Sequence, residues 1–518
     1  MNKLGTFAQK VLDEMEPDVS RQQMWLDHHD FWPVSQAECI TQFHDRIQTA
    51  LDKKEKIMVA GDYDADGVLG TSIMVDGLRS LGLETGFYIP DRIREGYGLS
   101  SRIVRRAHER GYSLIITVDN GVKAAEALAA AKELGVDVIV TDHHTIEEEV
   151  SCQILVHPSL LEEERSSECG AAVAWECVRA LGIDSTKHQM WAAAASITDC
   201  MQVIGQTRAL IQKGIEEYNR QPEVHLSLLM KDRIINETSI AFQAGPMINA
   251  IGRLSNMANI NNAVRYFLSD QYPVLQSFAM QTETINTQRK QMAAQMEAKA
   301  LSKVRPAHPI LLVEDESFHE GLIGLVAGKL CQTYLKPAIV AAKEISGGYK
   351  ASMRAPDGFD CMEFLNLFDR YQTLGGHKKA AGFSVAPEDW GDFKKFVFRK
   401  GIELDWQPEE PKALEIEPEE LTLENVEQLD LLRPFGEGFR LPVLEIRNPK
   451  IKNYFDLSGG KHRRYALENG LECLCFNQSA EQMNRSILDI ESFRGRVDIS
   501  SYRGVRKVNF LIDEILYF

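Results

Sequence analysis

Five short apolar runs in the first ~160 residues, separated by amphipathic stretches, constrain the fold more than any other feature of this chain. Residues 57–60, 87–89, 114–118, 136–140 and 154–156 are nearly continuous in apolar side chains instead of alternating with polar ones. Strands of that kind are buried on both faces, which calls for a parallel sheet covered by helices on either side. Helical patterns at 68–81 and 122–134 lie between them. The expectation is an α/β unit with a parallel sheet.

The chain has 518 residues, more than one hydrophobic core ordinarily organises, so about three domains are expected. From about residue 170 to 268 the pattern is mostly helical. Residues 274–304 lack Gly and Pro and read as one long connecting helix. A second, smaller α/β unit begins near Pro309 and ends near Lys400. The acidic, Pro-containing stretch that follows reads as a linker, and the last ~75 residues alternate as the strands of a small β-barrel do.

A formal net charge of −17 argues against a nucleic-acid partner at first sight, but the charge is unevenly spread. Residues 401–430 carry eleven acids and one base, whereas residues 443–518 carry twelve Lys or Arg against ten acids. A local basic groove is therefore compatible with the total. The nine cysteines are odd in number and several sit in apolar runs, as buried thiols of a reducing compartment do. Cys473 and Cys475 lack a second ligand pair for a zinc site. No 18-residue apolar stretch and no signal-like N-terminus occurs, so a cytoplasmic protein without membrane contact is expected.

Three of the apolar runs end in acids or histidines. The first enters GDYDADG with Asp62, Asp64 and Asp66, the third enters DNG with Asp119, and the fourth enters TDHH with Asp142, His143 and His144. One Asp-Gly after a strand is ordinarily a turn. Three such endings in one parallel sheet converge, because ligands bind beyond the carboxyl ends of the strands. Clustered carboxylates disfavour each other's ionisation. Hard divalent cations resolve that conflict, and imidazole tilts the preference toward Mn²⁺ over Mg²⁺. Two such ions can activate water and stabilise both oxygens of a phosphodiester displacement.

GDYDADG, VDNG and TDHH, in that order, resemble the first three motifs of the DHH phosphoesterases. The resemblance continues in a way specific to the RecJ exonucleases within them. RIREGYGLS, PMINAIGRLSN, HEGLIGLVAGKL, KASMRA, LGGHKKAAGFSV and LRPFGEG are similar to RecJ segments, and they run through most of the chain. The resemblance implies a DHH catalytic domain over 1–270, a connecting helix over 271–304 and a DHHA1 domain over 305–400. An acidic linker over 401–442 and a nucleic-acid-binding OB-fold over 443–518 complete it.

It further implies two Mn²⁺ or Mg²⁺ ions per active site, held by Asp64, Asp66, Asp119, His143 and Asp199, with Asp119 and Asp199 as bridges. His144 would contact the scissile phosphate and Asp142 would orient its neighbours. Asp62 would serve as a ligand or as a hydrogen-bonding support. Asp199 stands in Ile-Thr-Asp-Cys-Met, which departs from the family's fourth motif, so an N-cap or an ion pair is its structural alternative. Arg253 would bind a backbone phosphate, since a guanidinium fork matches phosphate oxygens. Arg92, Ser352 and Arg354 would form a pocket for a terminal 5′ phosphate, with Arg94 as the alternative to Arg92. His377 would face the cleft and bind a phosphate or a base.

The activity implied is 5′→3′ hydrolysis of single-stranded DNA to mononucleotides by a monomer in DNA repair and recombination. A single-strand-binding protein and a helicase would be its companions. Basic and aromatic residues interleave at 461–465 and 494–507, which suits strand binding by the barrel. Two other readings compete. One is a DHH phosphodiesterase for short oligoribonucleotides or small nucleotides, against which the extra barrel argues. The other is a non-catalytic replication scaffold, a class that loses metal ligands this chain retains.

Overall fold

The computed structural model describes residues 4–27, 30–96, 98–344, 347–404, 406–408, 412–476, 485–502 and 504–518. Tyr97 of RIREGYGLS, residues 409–411 of the acidic stretch and Arg503 of the basic one lie outside them. The described chain forms two compact units. One gathers parts of Met1–Phe31, Gln202–Gln212 and Glu410–Phe518, and the other holds Trp32–Met201 and Lys213–Glu409.

In the larger unit, β1 (Lys56–Ala60), β2 (Glu84–Tyr88), β3 (Leu114–Val118), β4 (Asp137–Thr141) and β5 (Ile154–Val156) form a parallel sheet in the order β2-β1-β3-β4-β5. This order sets β1, β3 and β4 side by side, so the three loops that follow them open at one edge. The helix Ala65–Ser80 buries Val68, Leu69, Ile73, Met74, Val75 and Leu78. It starts three residues before the apolar pattern does, because the Asp64 side chain caps it by accepting the Gly67 N–H. Asp66 therefore sits inside the first turn, where the helix dipole favours a carboxylate.

The same unit holds the second sheet, β6 (Leu311–Asp315), β7 (Ala338–Lys343), β8 (Tyr349–Arg354), β9 (Thr373–His377) and β10 (Ala380–Val385), in the order β6-β7-β8-β10-β9. The β6–β7 pair is parallel around the helix Ile323–Tyr334, and the remaining pairs are antiparallel. The long helix Tyr272–Lys303 precedes it.

The smaller unit departs from expectation. The stretch expected to be a linker, 401–442, is folded over much of its length: Leu421, Val426, Leu429 and Leu432 are buried in the barrel core while the intervening acids face out. Charge density masked an apolar spacing. The N-terminal helices Thr6–Met15 and Val19–Leu26 also belong here and not to the catalytic domain assigned to 1–270. They bury Phe7, Val11, Leu12 and Trp25 in the same core. Trp25 stacks on Phe439 at 3.9 Å, and the Arg208 guanidinium lies 5.2 Å from both rings and donates to Trp25, Leu432 and Pro434 carbonyls. A seven-stranded sheet follows, β11 (Ala413–Glu415), β12 (Val443–Arg447), β13 (Ile451–Leu457), β14 (His462–Leu467), β15 (Glu472–Cys475), β16 (Ile490–Tyr502) and β17 (Val505–Tyr517). Its order is β11-β12-β16-β17-β15-β14-β13. All nine cysteines are free. Among the described residues no helix is long and apolar enough to cross a membrane.

Candidate active site

The edge above β1, β3 and β4 is where the acids meet. The β3–β4 ladder continues one residue past β3, with Asp119 N–H donating to the Thr141 carbonyl, and this fixes the Asp119 backbone. Asp119 takes φ 63°, a left-handed conformation that Asp tolerates better than most residues. Asp142 accepts the backbone N–H groups of Val122, His143 and His144, and it pairs with His144 Nδ1 at 2.7 Å. That pairing leaves His144 Nε2 as the atom the ring presents elsewhere. The His144 carbonyl in turn lies 3.0 Å from His157 Nε2, a support that the sequence did not mark.

Asp199 joins from the C-terminal end of the helix Thr186–Thr198 and is not an N-cap. Its Oδ2 lies 3.5 Å from His143 Nε2, whose other neighbours are Asp119 Oδ1 at 3.1 Å and Asp66 Oδ2 at 3.7 Å. Ligand atoms of Asp66, His143 and Asp199 fall within 4.8 Å of one another, and so do those of Asp62, Asp64 and Asp119. Asp119 also groups with His143 and His144. Asp119 is thus shared between groups, as a bridging carboxylate would be. Asp199 enters one group among the described residues, and Asp62 takes a place among the candidate ligands.

The electrostatics show what the cluster is built for. Burial and the Asp64 charge push Asp62 up to about 7. Burial and neighbouring carboxylates also raise Asp64, and they hold Asp119 and Asp199 well above the ordinary carboxylate range. Burial pushes Asp142 up too, yet its bond to His144, the His144 charge and the backbone amides hold it down at about 2. Burial lowers His144, but Asp142 more than compensates and raises it to about 9. Burial keeps His143 below its usual value, so the ring favours its neutral form. Asp62 Oδ1 and Asp119 Oδ1 are buried without a hydrogen-bond partner among the described residues. Orphaned carboxylate oxygens aimed at one small volume fit divalent cations and little else.

Asp66 shows how the fold pays for one of these charges. Its two oxygens each accept an N–H at 2.8 Å, from Gly170 and Ala171 at the start of the helix Gly170–Ala180. A side chain at 170 would run into Asp119, whose Cβ lies 2.5 Å from where its Cβ would stand, so glycine is required for the approach. Nothing in the local sequence marks Gly170 for this role.

The expected phosphate-binding residues are gathered nearby. Arg92 stacks over the ring of Tyr63, at 4.4 Å from its centroid, between Asp62 and Asp64 in the chain. Arg94 is exposed. Asp91 pins this loop by accepting from Ile93 N, Arg94 N and Ser255 Oγ, tying it to the segment after Arg253. Arg354 donates to Ser352 Oγ and the Met353 carbonyl on β8, both at 2.8 Å. His377, exposed at the end of β9, stacks on His144 with centroids 6.3 Å apart. On the barrel, Arg463 lies over Tyr454 and Arg464 over Phe455, with both aromatic rings half exposed.

Three family descriptions match this chain in order: "DHH family, N-terminal domain" over residues 56–202, "DHHA1 domain" over 307–400 and "RecJ OB domain" over 413–514. The crystal structure of exonuclease RecJ bound to manganese matches with a TM-score of 0.62 at 30% identity, over 72% of this chain and 96% of its own. The chain belongs to the RecJ family. RecJ from Thermus thermophilus in complex with Mn²⁺ matches with a TM-score of 0.86 at 26% identity, over 99% of this chain and 76% of that one. The single-stranded-DNA-specific exonuclease RecJ of Bacillus subtilis is 30% identical over 507 residues, 94% of this chain and 64% of its own length. Its Thermus thermophilus counterpart is 31% identical over 441 residues, 83% and 65% respectively. The chain thus spans a little under two thirds of these curated relatives.

Within the RecJ-like signature PMINAIGRLSN, the structure gives Asn249 a definite task. Its Oδ1 accepts the Ala65 N–H at 2.8 Å, immediately after Asp64. Gly252, one turn on, allows the helix Gly245–Arg253 to touch the Tyr63 carbonyl, which lies 2.4 Å from where a Cβ would be. This helix therefore sets the height of the GDYDADG loop. Asn249→Ala is expected to weaken Mn²⁺ binding by about 10- to 100-fold, as loss of a group that orients a ligand does. Calorimetric titration of Mn²⁺ checks this, and unchanged affinity would remove Asn249 from the site.

Proposed function

We propose that the protein is a single-strand-specific 5′→3′ exodeoxyribonuclease that releases 5′-mononucleotides with two Mn²⁺ or Mg²⁺ ions. The observation that carries this reading is the adjacency of two different sites on one loop. Asp62 and Asp64 contribute to the carboxylate cluster, and Tyr63 between them carries the Arg92 guanidinium. An anion-binding pocket so close to the hydrolytic centre suits a strand end held about one nucleotide from the bond to be cut. The names of the relatives support the substrate, and the manganese-bound structures support the metal.

Asp62, Asp64, Asp66, Asp119, His143 and Asp199 would hold the cations. Bound there, the ions would supply Lewis-acid activation of water and charge neutralisation at the phosphoryl group. The residues of the chain do the rest. His144, fixed through Nδ1 by Asp142, presents Nε2 to a non-bridging phosphate oxygen and stabilises the charge developing on it. Arg253 holds a backbone phosphate, and Arg92, Ser352 and Arg354 hold the terminal one, which confers end dependence. His377 borders His144 on the side of the second sheet. Tyr454 and Phe455 with their arginines stack bases of a single strand. The free cysteines fit a cytoplasmic enzyme.

The test is incubation with Mn²⁺ and single-stranded DNA labelled at its 3′ end, carrying either a 5′ phosphate or a 5′ hydroxyl. Progressive shortening, faster with the 5′ phosphate and weak on duplex, is expected. Immediate release of labelled mononucleotide would reverse the polarity. Turnover of a short oligoribonucleotide with DNA left intact would move the assignment to the small-substrate phosphodiesterases.

A further inference from the structure

The helix Tyr272–Lys303 packs Ile285, Met292 and Met296 into a core shared with Ala250 and Leu254 of the helix Gly245–Arg253. Arg289 stands between Ile285 and Met292 at helical spacing, on that same face. Thr282 and Asn286 precede it at seven and three residues, so the three form a polar stripe along the helix. Thr282 is 1% exposed and Asn286 7%, and Thr282 Oγ1, Asn286 Oδ1 and Arg289 Nε are all buried without a hydrogen-bond partner among the described residues. A folded chain ordinarily satisfies such atoms, so an unpartnered guanidinium nitrogen beside two other unpartnered polar atoms calls for an explanation.

The charge around Arg289 supplies one. Arg253 is lowered to about 10 by burial and then by the charges of Arg92, Arg354 and Arg289, and burial also lowers Arg289. Arg92 lies over Tyr63, the helix that ends in Arg253 touches the Tyr63 carbonyl, and the helix bearing Arg289 packs against that helix; among the described residues none of Arg92, Arg253, Arg289 and Arg354 forms an ion pair with a carboxylate. Positive charge gathered without acids is a phosphate site. Arg354 and Ser352 lie together on β8, whereas the helix bearing Arg289 packs against the helix that ends in Arg253. Arg289 therefore serves the Arg253 side of the cluster and not the terminal-phosphate side.

We propose that Arg289 is a further substrate-binding residue, which with Arg253 grips an internal phosphodiester of the strand. The inference rests on the reading of the protein as a single-strand exonuclease, and it adds a second anchor set apart from the 5′ end.

The test uses the full chain with Ca²⁺ as the divalent ion and fluorescent 12-nucleotide oligodeoxythymidylate bearing a 5′ phosphate or a 5′ hydroxyl. Arg289→Met is expected to weaken binding of both strands about 10-fold, leaving the ratio between them unchanged. The slope of log affinity against log salt should fall by about 0.7, the value for one phosphate of a single strand left unneutralised. Arg289→Lys should keep the slope and lose a smaller factor, since the charge stays and the fork goes. Melting temperatures at or above the wild-type value are expected for Arg289→Met, because methionine fills the site without burying a charge. Wild-type binding and slope in Arg289→Met would overturn the proposal. So would a collapse of the 5′-phosphate preference, which would put Arg289 in the terminal pocket. Parallel loss of binding and melting temperature in both variants would make Arg289 structural and overturn it as well. Failure of the wild-type protein itself to bind either strand would sink the functional reading along with it, and is distinguishable from those outcomes.

Discussion

Asp119→Asn is expected to abolish hydrolysis, by about 10³-fold or more, while the metal-free protein melts higher than wild type. Both effects come from one side chain. Asp119 is 2% exposed and faces Asp62, Asp64, Asp66 and Asp199, so its ionised form is costly without a compensating cation. The amide is nearly isosteric and uncharged, and removing an uncompensated buried charge is expected to stabilise the metal-free fold by about 1–3 kcal/mol. With cations present the balance reverses. A carboxylate shared between two ligand groups is lost, and several kcal/mol of transition-state stabilisation go with it. Wild type in saturating Mn²⁺ should gain about 2.7 kcal/mol at 100 times the dissociation constant. The variant should gain little. Thermal melts in chelator and in Mn²⁺, run beside the nuclease assay, measure the four values together. A variant that retained the Mn²⁺-dependent rise in melting temperature would show that Asp119 is not a ligand.

The part of this site that was legible in the sequence is the part carried by strand ends. Apolar runs leading into GDYDADG, DNG and TDHH state both the sheet type and the edge where chemistry sits, because the carboxyl ends of parallel strands share one side. The lateral order β2-β1-β3-β4-β5, which makes the three loops neighbours, is a tertiary fact with no local signature. Gly170 illustrates the same limit. It reads as an ordinary helix start, yet it donates to Asp66 and leaves room for Asp119, two residues distant in sequence. Asn249 and Arg289 were hidden for a different reason. Asn249 lies within the quoted PMINAIGRLSN and Arg289 in a long polar helix, but neither shows its role locally, because each role depends on what stands opposite. The acidic stretch 401–442 failed in the opposite direction. Its charge suggested an exposed linker, whereas Leu421, Val426, Leu429 and Leu432 carry enough apolar surface to join the barrel core. The N-terminal helices are amphipathic by sequence, but nothing local reveals that their partner lies some four hundred residues away.

His144→Gln separates charge stabilisation from metal binding and should be the second-largest loss, about 10²- to 10³-fold in kcat with KM little changed. The ring is 37% exposed on its side chain, which leaves it accessible to a substrate, while His143 beside it is 12% exposed and turned into the carboxylates. Two adjacent imidazoles thus divide the work by orientation. Removing His144 takes no carboxylate from either ligand group built around Asp66 or Asp62, so the Mn²⁺-dependent stabilisation should survive. Asp142→Asn is a less selective probe. Asp142 accepts three backbone N–H groups as well as His144, and the amide must turn one N–H donor toward another, costing about 1–3 kcal/mol of fold stability. The expected pattern is a stable, metal-binding, slow enzyme for His144→Gln and a destabilised, slow one for Asp142→Asn. Steady-state kinetics with melts in Mn²⁺ distinguish them, and a His144→Gln variant that lost Mn²⁺ stabilisation would reassign His144 from the phosphate to the metal.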